Sequence, residues 1–160
     1  MVDAKIPSAG KCNPPYLRPC VIVIENNKVL CIRLRYRNQE YFVFPGGGLE
    51  AHETLREAAA REVREEAGFD VEIGKLVYVQ DLIRERATND RAIDFYFLGT
   101  RVGSASYPTV TDGGKNLGAH WIPLDDFKNS DFLPAAIRVR LADDYRSGFL
   151  QTIFLESVLK

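Results

Sequence analysis

Three glutamates, Glu62, Glu65 and Glu66, stand at i, i+3 and i+4 in the run GGGLEAHETLREAAAREVREEAGF (46–69). On an α-helix, residues three and four apart are surface neighbours, so this spacing would gather all three carboxylates on one patch. With Leu55 as the origin of a wheel at about 100° per residue, Ala59 falls at about 40° and Val63 at about 80°, which marks an apolar stripe. Glu66 at about 20° and Glu62 at about −20° fall within or beside that stripe, and Glu65 lies at about −80°. Two carboxylates about 4 Å apart repel by roughly 4 kcal/mol at an effective dielectric near 20, so the patch calls for positive charge. Arg64, at about 180°, is on the far side, while Arg61, at about 240°, is placed to reach Glu65 better than Glu62 or Glu66. Hard divalent cations with oxygen ligands suit the remainder, with Mg²⁺ the expected ion and Mn²⁺ the alternative.

The helix that must carry these groups is well marked. Thr54 with Glu57 three residues on is a capping-box pattern, Leu55, Ala59, Val63 and Ala67 supply the stripe, and Gly68 suits the C-terminal cap. A solvated acidic face is the alternative for three glutamates taken alone. Against it stand the overlap with the apolar stripe and the Pro45 to Gly48 turn, whose exposed backbone groups can meet a phosphate or a metal. Ahead of that turn, LRPCVIVIE (17–25) and KVLCIRLRYR (28–37) read as a hairpin joined at Asn26-Asn27, and YFVF (41–44) as a short strand. A period of two puts Arg33, Arg35 and Arg37 on one face of the second strand, where they would either grip phosphate or form a solvated ladder. After the helix, strands are predicted at 71–83, 92–102 and 119–124, with RERATNDR joining the first two. A polar loop over 103–118 is read as either a lid or a plain connection. A second amphipathic helix is predicted from Leu133 to Tyr145, with Pro134 in its first turn; QTIFLES near the end is ambiguous.

The run from Gly47 resembles the Nudix box, with Gly47, Glu53, Arg61, Glu62, Val63, Glu65, Glu66, Gly68 and Phe69 all in agreement. His52 departs from the glycine that often precedes the first box glutamate. The resemblance implies an α+β fold of the α/β/α sandwich type, a mixed sheet flanked by helices. It also implies water attack at phosphorus on a phosphoanhydride of a nucleoside diphosphate linked to another group. By the same resemblance Glu62, Glu65, Glu66 and the Gly46 carbonyl form the metal-binding set, and Glu53, Glu65, Glu66 and Arg61 the catalytic set. Arg61 would hold a box glutamate by a salt bridge. Arg33, Arg35, Gly47 and Gly48 would contact substrate. The proton acceptor is left among Glu66, Glu53, Glu85 and Asp112. Neither a proline nor a tyrosine stands about 16 residues beyond the box, where Arg84 and Glu85 lie, so no substrate subgroup is marked. A nucleotide sensor without turnover would be expected to lose box glutamates, and none is lost; an acidic interaction helix without metal is the remaining alternative.

The 160 residues, 46% hydrophobic and 27% charged, suit one globular domain over 17–160 after a loosely held leader over 1–16. A net charge of −1 demands neither a nucleic-acid nor a membrane partner. Cys12, Cys20 and Cys31 have no paired spacing and read as free thiols of a reducing, cytoplasmic setting. His52 and His120 are isolated and read as structural or surface residues. Trp121, Phe95, Tyr96, Tyr36 and Phe42 are candidates for core packing or for stacking on a base. A homodimer is an expectation by analogy only.

Overall fold

The computed structural model describes residues 14–85, 90–109 and 115–158. Its elements are β1 (Tyr16–Glu25), β2 (Lys28–Tyr36), β3 (Gln39–Val43), α1 (Leu55–Ala67), β4 (Asp70–Glu85) and β5 (Asp90–Val102). They continue with β6 (Asn116–Pro123), a 3₁₀ turn (Phe127–Asn129), α2 (Ala135–Arg138), α3 (Leu141–Arg146) and β7 (Ile153–Val158). The strands form a seven-stranded sheet in the order β3-β2-β1-β5-β4-β7, with β6 paired to β2. β1 with β5 and β4 with β7 run parallel; the other pairs are antiparallel, so the sheet is mixed.

The period of two along β1 divides the core. Val21 and Val23 pack with Ala59 and Val63 of α1 on one face, while Cys20 and Ile22 pack with Phe44, Ile137 and Leu141 on the other. One helical layer therefore covers each face, which is the α/β/α sandwich anticipated from the sequence. Asn26 and Asn27 both adopt positive φ, 48° and 58°, as a two-residue hairpin turn requires.

Three details depart from the sequence reading, and one left ambiguous is resolved. Arg37 leaves the strand: it shares a second two-residue turn with Asn38, φ 47° and 64°, so only Arg33 and Arg35 remain on the ladder. The helix expected from Leu133 to Tyr145 is broken into α2 and α3. At Arg140 the backbone swings to φ −119°, ψ −20°, which interrupts the ladder although Ile137 and Leu141 are both fully buried. Asn116 to Gly118, counted in the polar loop, belong to β6, Asn116 pairing with Leu34 of β2 across a register irregularity. QTIFLES resolves into strand β7 because the parallel edge of β4 offers it a partner. Asp112, Gly113, Gly114 and Cys12 lie outside the described residues, as does most of the leader.

Candidate active site

α1 begins as its sequence dictates. The Thr54 hydroxyl accepts from the Glu57 amide at 3.3 Å, and the Glu57 carboxylate accepts from the Thr54 amide at 2.7 Å. Gly68 closes the helix in the left-handed conformation, φ 79°, donating its amide to the Arg64 carbonyl. Between these caps the helix lies against β1, and its glutamates meet the turn that follows β3. Backbone contact requires glycine at Gly46, whereas Gly47 and Gly48 lie against the movable ends of two side chains. A side chain at Gly46 would stand 2.4 Å from the Pro19 carbonyl oxygen, one at Gly47 2.2 Å from Glu62 Oε1, and one at Gly48 2.1 Å from the Tyr16 hydroxyl.

Arg61 is the organising cation. It donates to both Glu53 oxygens at 3.1 and 2.8 Å, to Glu62 Oε1 at 2.8 Å, to Glu65 Oε2 at 3.4 Å and to the Gly48 carbonyl at 2.9 Å. Arg61 thus reaches Glu62 better than Glu65, against the wheel. Glu53 and the Gly48 carbonyl draw the guanidinium toward the N-terminal loop, and a flexible stem allows it. Glu53 also accepts from the Glu50 amide at 2.6 Å. The Arg61 bonds first, then that amide, hold the Glu53 carboxyl below the usual range.

Glu66 is in the opposite state. Its Oε2 accepts from the Gly46 amide at 2.9 Å. Burial, with Glu62 and Glu65 adding repulsion, outweighs that bond and the nearby Arg18, so the Glu66 carboxyl is pushed up to about 7. Glu62 is raised too, by burial first, with Arg61 opposing. Two neighbouring carboxylates are thus held above their ordinary values, chiefly by burial. Among the described residues no group of three or more His, Cys, Asp or Glu side chains is arranged to hold a metal ion. Protein donors take the oxygens instead: Arg61 on Glu62, and the Gly46 amide on Glu66. The carboxylates of Glu62, Glu65 and Glu66 and the Gly46 carbonyl, which takes Arg18 at 2.9 Å, are oxygen donors of the type hard cations accept.

Arg18 carried no signal in the sequence, where it was one residue of a strand. It donates to the Gly46 carbonyl at 2.9 Å and to Cys20 Sγ at 3.2 Å, and approaches Asp94 Oδ2 at 4.0 Å. Arg18 also lines a cavity of about 640 Å³ whose walls include Leu34, Tyr41, Leu82, Leu133 and Pro134. Of the five aromatics considered for stacking, Tyr96 lines this cavity; Trp121 packs instead against Phe69, and Phe42 against His120. Tyr41 lines it without having been considered. Arg33 and Arg35 both hold Glu40 across the β2–β3 pair, Arg35 Nε at 3.0 Å, on the face of β2 opposite to Leu34. The structure thus brings Glu53, Arg61, Glu62, Glu65, Glu66 and the glycines together and leaves those two arginines apart.

A family model described as NUDIX domain matches residues 15–141. The chain is 32% identical over 121 residues to the 8-oxo-dGDP phosphatase NUDT18 of Danio rerio, a match covering 71% of this chain and 35% of that protein. It spans between about a quarter and two-fifths of the length of the curated relatives it matches. Among solved structures it is similar to a NUDIX hydrolase from Nitrosomonas europaea, with a TM-score of 0.69 and 22% identity over 84% of this chain and 90% of the other. An ADP-ribose pyrophosphatase from Streptococcus suis gives a TM-score of 0.65 and 21% identity over 88% and 99%. At such identities the structural likeness is one of fold.

Proposed function

The chain belongs to the NUDIX family, and from that membership we propose that it hydrolyses a phosphoanhydride bond in a nucleoside diphosphate linked to another group, with a divalent metal. The observation that carries the proposal is the gathering of Glu62, Glu65 and Glu66 on one helix against the glycine turn, Glu66 accepting from the Gly46 amide and Glu62 lying against Gly47. Glu62, Glu65, Glu66 and the Gly46 carbonyl would hold Mg²⁺ or Mn²⁺. Bound there, such an ion neutralises phosphate charge and lowers the pKa of water.

The chain's own groups have separate tasks. Arg61 holds Glu53 and Glu62 and ties the helix to the Gly48 carbonyl, so it fixes the carboxylates rather than the substrate. Glu53 is poorly suited to accept a proton because both of its oxygens already take hydrogen bonds and its carboxyl is held low. Glu66, whose Oε2 takes the Gly46 amide, is the better acceptor among the described candidates. Arg18, beside the Gly46 carbonyl, is better placed for phosphate than Arg33 or Arg35. The buried free thiols Cys20 and Cys31 accord with a reducing, cytoplasmic setting. The relatives' names span an 8-oxo-dGDP phosphatase and an ADP-ribose pyrophosphatase, so the linked group stays open.

A panel of nucleoside triphosphates, diphosphates, dinucleotides and diphosphate sugars, incubated with Mg²⁺ or Mn²⁺ and with products identified, tests the reaction and its substrate together. Phosphorylated products that require metal are expected. Parent-like rates in purified E65Q and E66Q would refute the catalytic reading.

A further inference from the structure

Arg18 stands where the proposed metal would bind. It donates to the Gly46 carbonyl at 2.9 Å, and that carbonyl is one of the oxygens assigned above to a divalent cation. A guanidinium and a divalent ion on one oxygen would set like charges side by side, in a half-buried place where water screens them poorly. For the cation to take the carbonyl, Arg18 must leave it.

The fold offers Arg18 another anion. Register aligns Arg18 of β1 with Asp94 of β5, and Asp94 with Gln80 of β4, so the three side chains share one face of adjacent central strands. Asp94 is the one carboxylate within ion-pair reach of Arg18 among the described residues, with Nη1 4.0 Å from Oδ2. That separation is too long for a hydrogen bond. Asp94, 4% exposed, is left under-satisfied: Oδ1 is enclosed without a partner among the described residues, and Oδ2 is only half committed. The single proton of the Tyr96 hydroxyl serves Asp94 Oδ2 at 3.2 Å or Gln80 Oε1 at 3.0 Å, while Gln80 Nε2 donates to the Ser157 hydroxyl at 2.9 Å. Tyr96 can therefore turn to Gln80 and free Oδ2 with no donor left unpaired. What Nη1 would give up is a bond to Cys20 Sγ at 3.2 Å, a weak acceptor, and Arg18 borders the cavity, which leaves it room to shift.

We propose that Asp94 is a positioning residue that takes the Arg18 guanidinium when a divalent cation claims the Gly46 carbonyl, so that metal entry and Arg18 movement are one event. This role rests on the metal reading above and adds the residue that clears the site for the ion. The polar row then has two arrangements. Without metal, Arg18 holds the carbonyl and Tyr96 shares its proton with Asp94; with metal, Arg18 holds Asp94 Oδ2 and Tyr96 holds Gln80. The cation binds only the second, so its apparent affinity falls with the fraction of molecules that have not reached it. Asp94 favours that second arrangement, and the contact between Arg18 and the carbonyl opposes it.

Binding of Mn²⁺ alone to the full chain, read from the loss of the free ion's electron paramagnetic resonance signal, tests this without turnover. D94N should weaken Mn²⁺ binding by about five- to hundredfold. R18Q, which removes the competing charge, should tighten it by about fivefold or more. In the R18Q background, where no guanidinium needs a second partner, D94N should change the affinity by less than about twofold. A direct pull of the Asp94 charge on the ion would persist in the double variant, and a merely structural Asp94 would leave folded D94N at the parent affinity. Either result overturns the inference, as does weaker binding by R18Q. Crystals of the parent grown in EDTA and in Mg²⁺ decide the matter should a variant fail to fold. With metal, an Arg18 nitrogen should lie about 2.8 Å from Asp94, and Arg18 still seated on the Gly46 carbonyl would overturn the inference. Equal Mn²⁺ affinity in all four proteins would strike this role and spare the metal reading; no Mn²⁺ binding by the parent would strike both.

Discussion

On the proposed reading, Glu66 would serve function at the expense of stability. Its carboxyl is pushed up to about 7 chiefly by burial, so near neutral pH and without metal the fold holds an anion it would rather protonate. Replacing it with Gln keeps an oxygen that can accept from the Gly46 amide and removes the charge. Metal-free E66Q should therefore be more stable than the parent at about pH 8, on the order of 1–2 kcal/mol by urea unfolding in EDTA. Its metal-dependent hydrolysis should fall by about a hundredfold or more. A variant that loses both stability and rate would mean the carboxylate is structural. Arg61 predicts the contrary pattern. It spans Glu53, Glu62 and the Gly48 carbonyl with separate nitrogens, which an ammonium point charge cannot reproduce. R61K should cost about 2 kcal/mol of stability and lower kcat together, checked by unfolding and steady-state rates.

At the scale of elements, α1 was legible because its pattern contained its own ends: a capping box at Thr54 and Glu57, and a glycine at 68. The C-terminal helices were not, because an apolar period continues from Ile137 to Leu141 across the break and only backbone geometry at Arg140 reveals it. The box glutamates could be read from spacing within one helix. Arg18, Gln80 and Asp94 could not, since only strand register brings them into one row, and register depends on pairings 14 to 76 residues apart in sequence that no local pattern encodes. The turn before α1 shows where a small departure in sequence has a physical cost. His52 sits at φ 70°, a region glycine enters freely and other residues enter at roughly 1 kcal/mol. H52G should therefore stabilise the protein by about 0.5 kcal/mol, part of the relief being offset by a freer unfolded chain. Gly68 occupies the same region at φ 79°, with the Tyr107 carbonyl oxygen 2.6 Å from where a side chain would start. G68A should destabilise by more than 1 kcal/mol, and paired denaturant curves for the two variants test one conformational argument with opposite signs.

For the molecule as a whole, the shifted carboxylates fall into two groups that bound its stability on either side. Glu53, Glu57 and Asp70 are held below their ordinary values by hydrogen bonds, so the stability they contribute is present above those values and lost as pH falls through the lowered ones. Glu62, Glu66 and Asp94 are all raised, burial being the first cause in each, so above the ordinary carboxylate range the folded state binds more protons than the unfolded chain, for Glu66 up to about 7. Stability from these three is fully present below their unfolded values and declines as pH rises through the folded ones. In EDTA the melting temperature should accordingly peak in mild acid and fall by several degrees toward about pH 8. Divalent metal acts on only part of that decline. A cation taken up by Glu62 and Glu66 competes with protons there and favours the folded state more as pH rises, so millimolar Mg²⁺ should raise the melting temperature more at about pH 8 than at about pH 5. Asp94 is raised as well, burial being the first cause, but it is outside that set, buried beside Arg18. Melting curves of parent and E66Q at the two pH values, with EDTA or Mg²⁺, separate the Glu66 contribution from the rest. An identical metal response at both pH values would detach cation binding from the helix carboxylates.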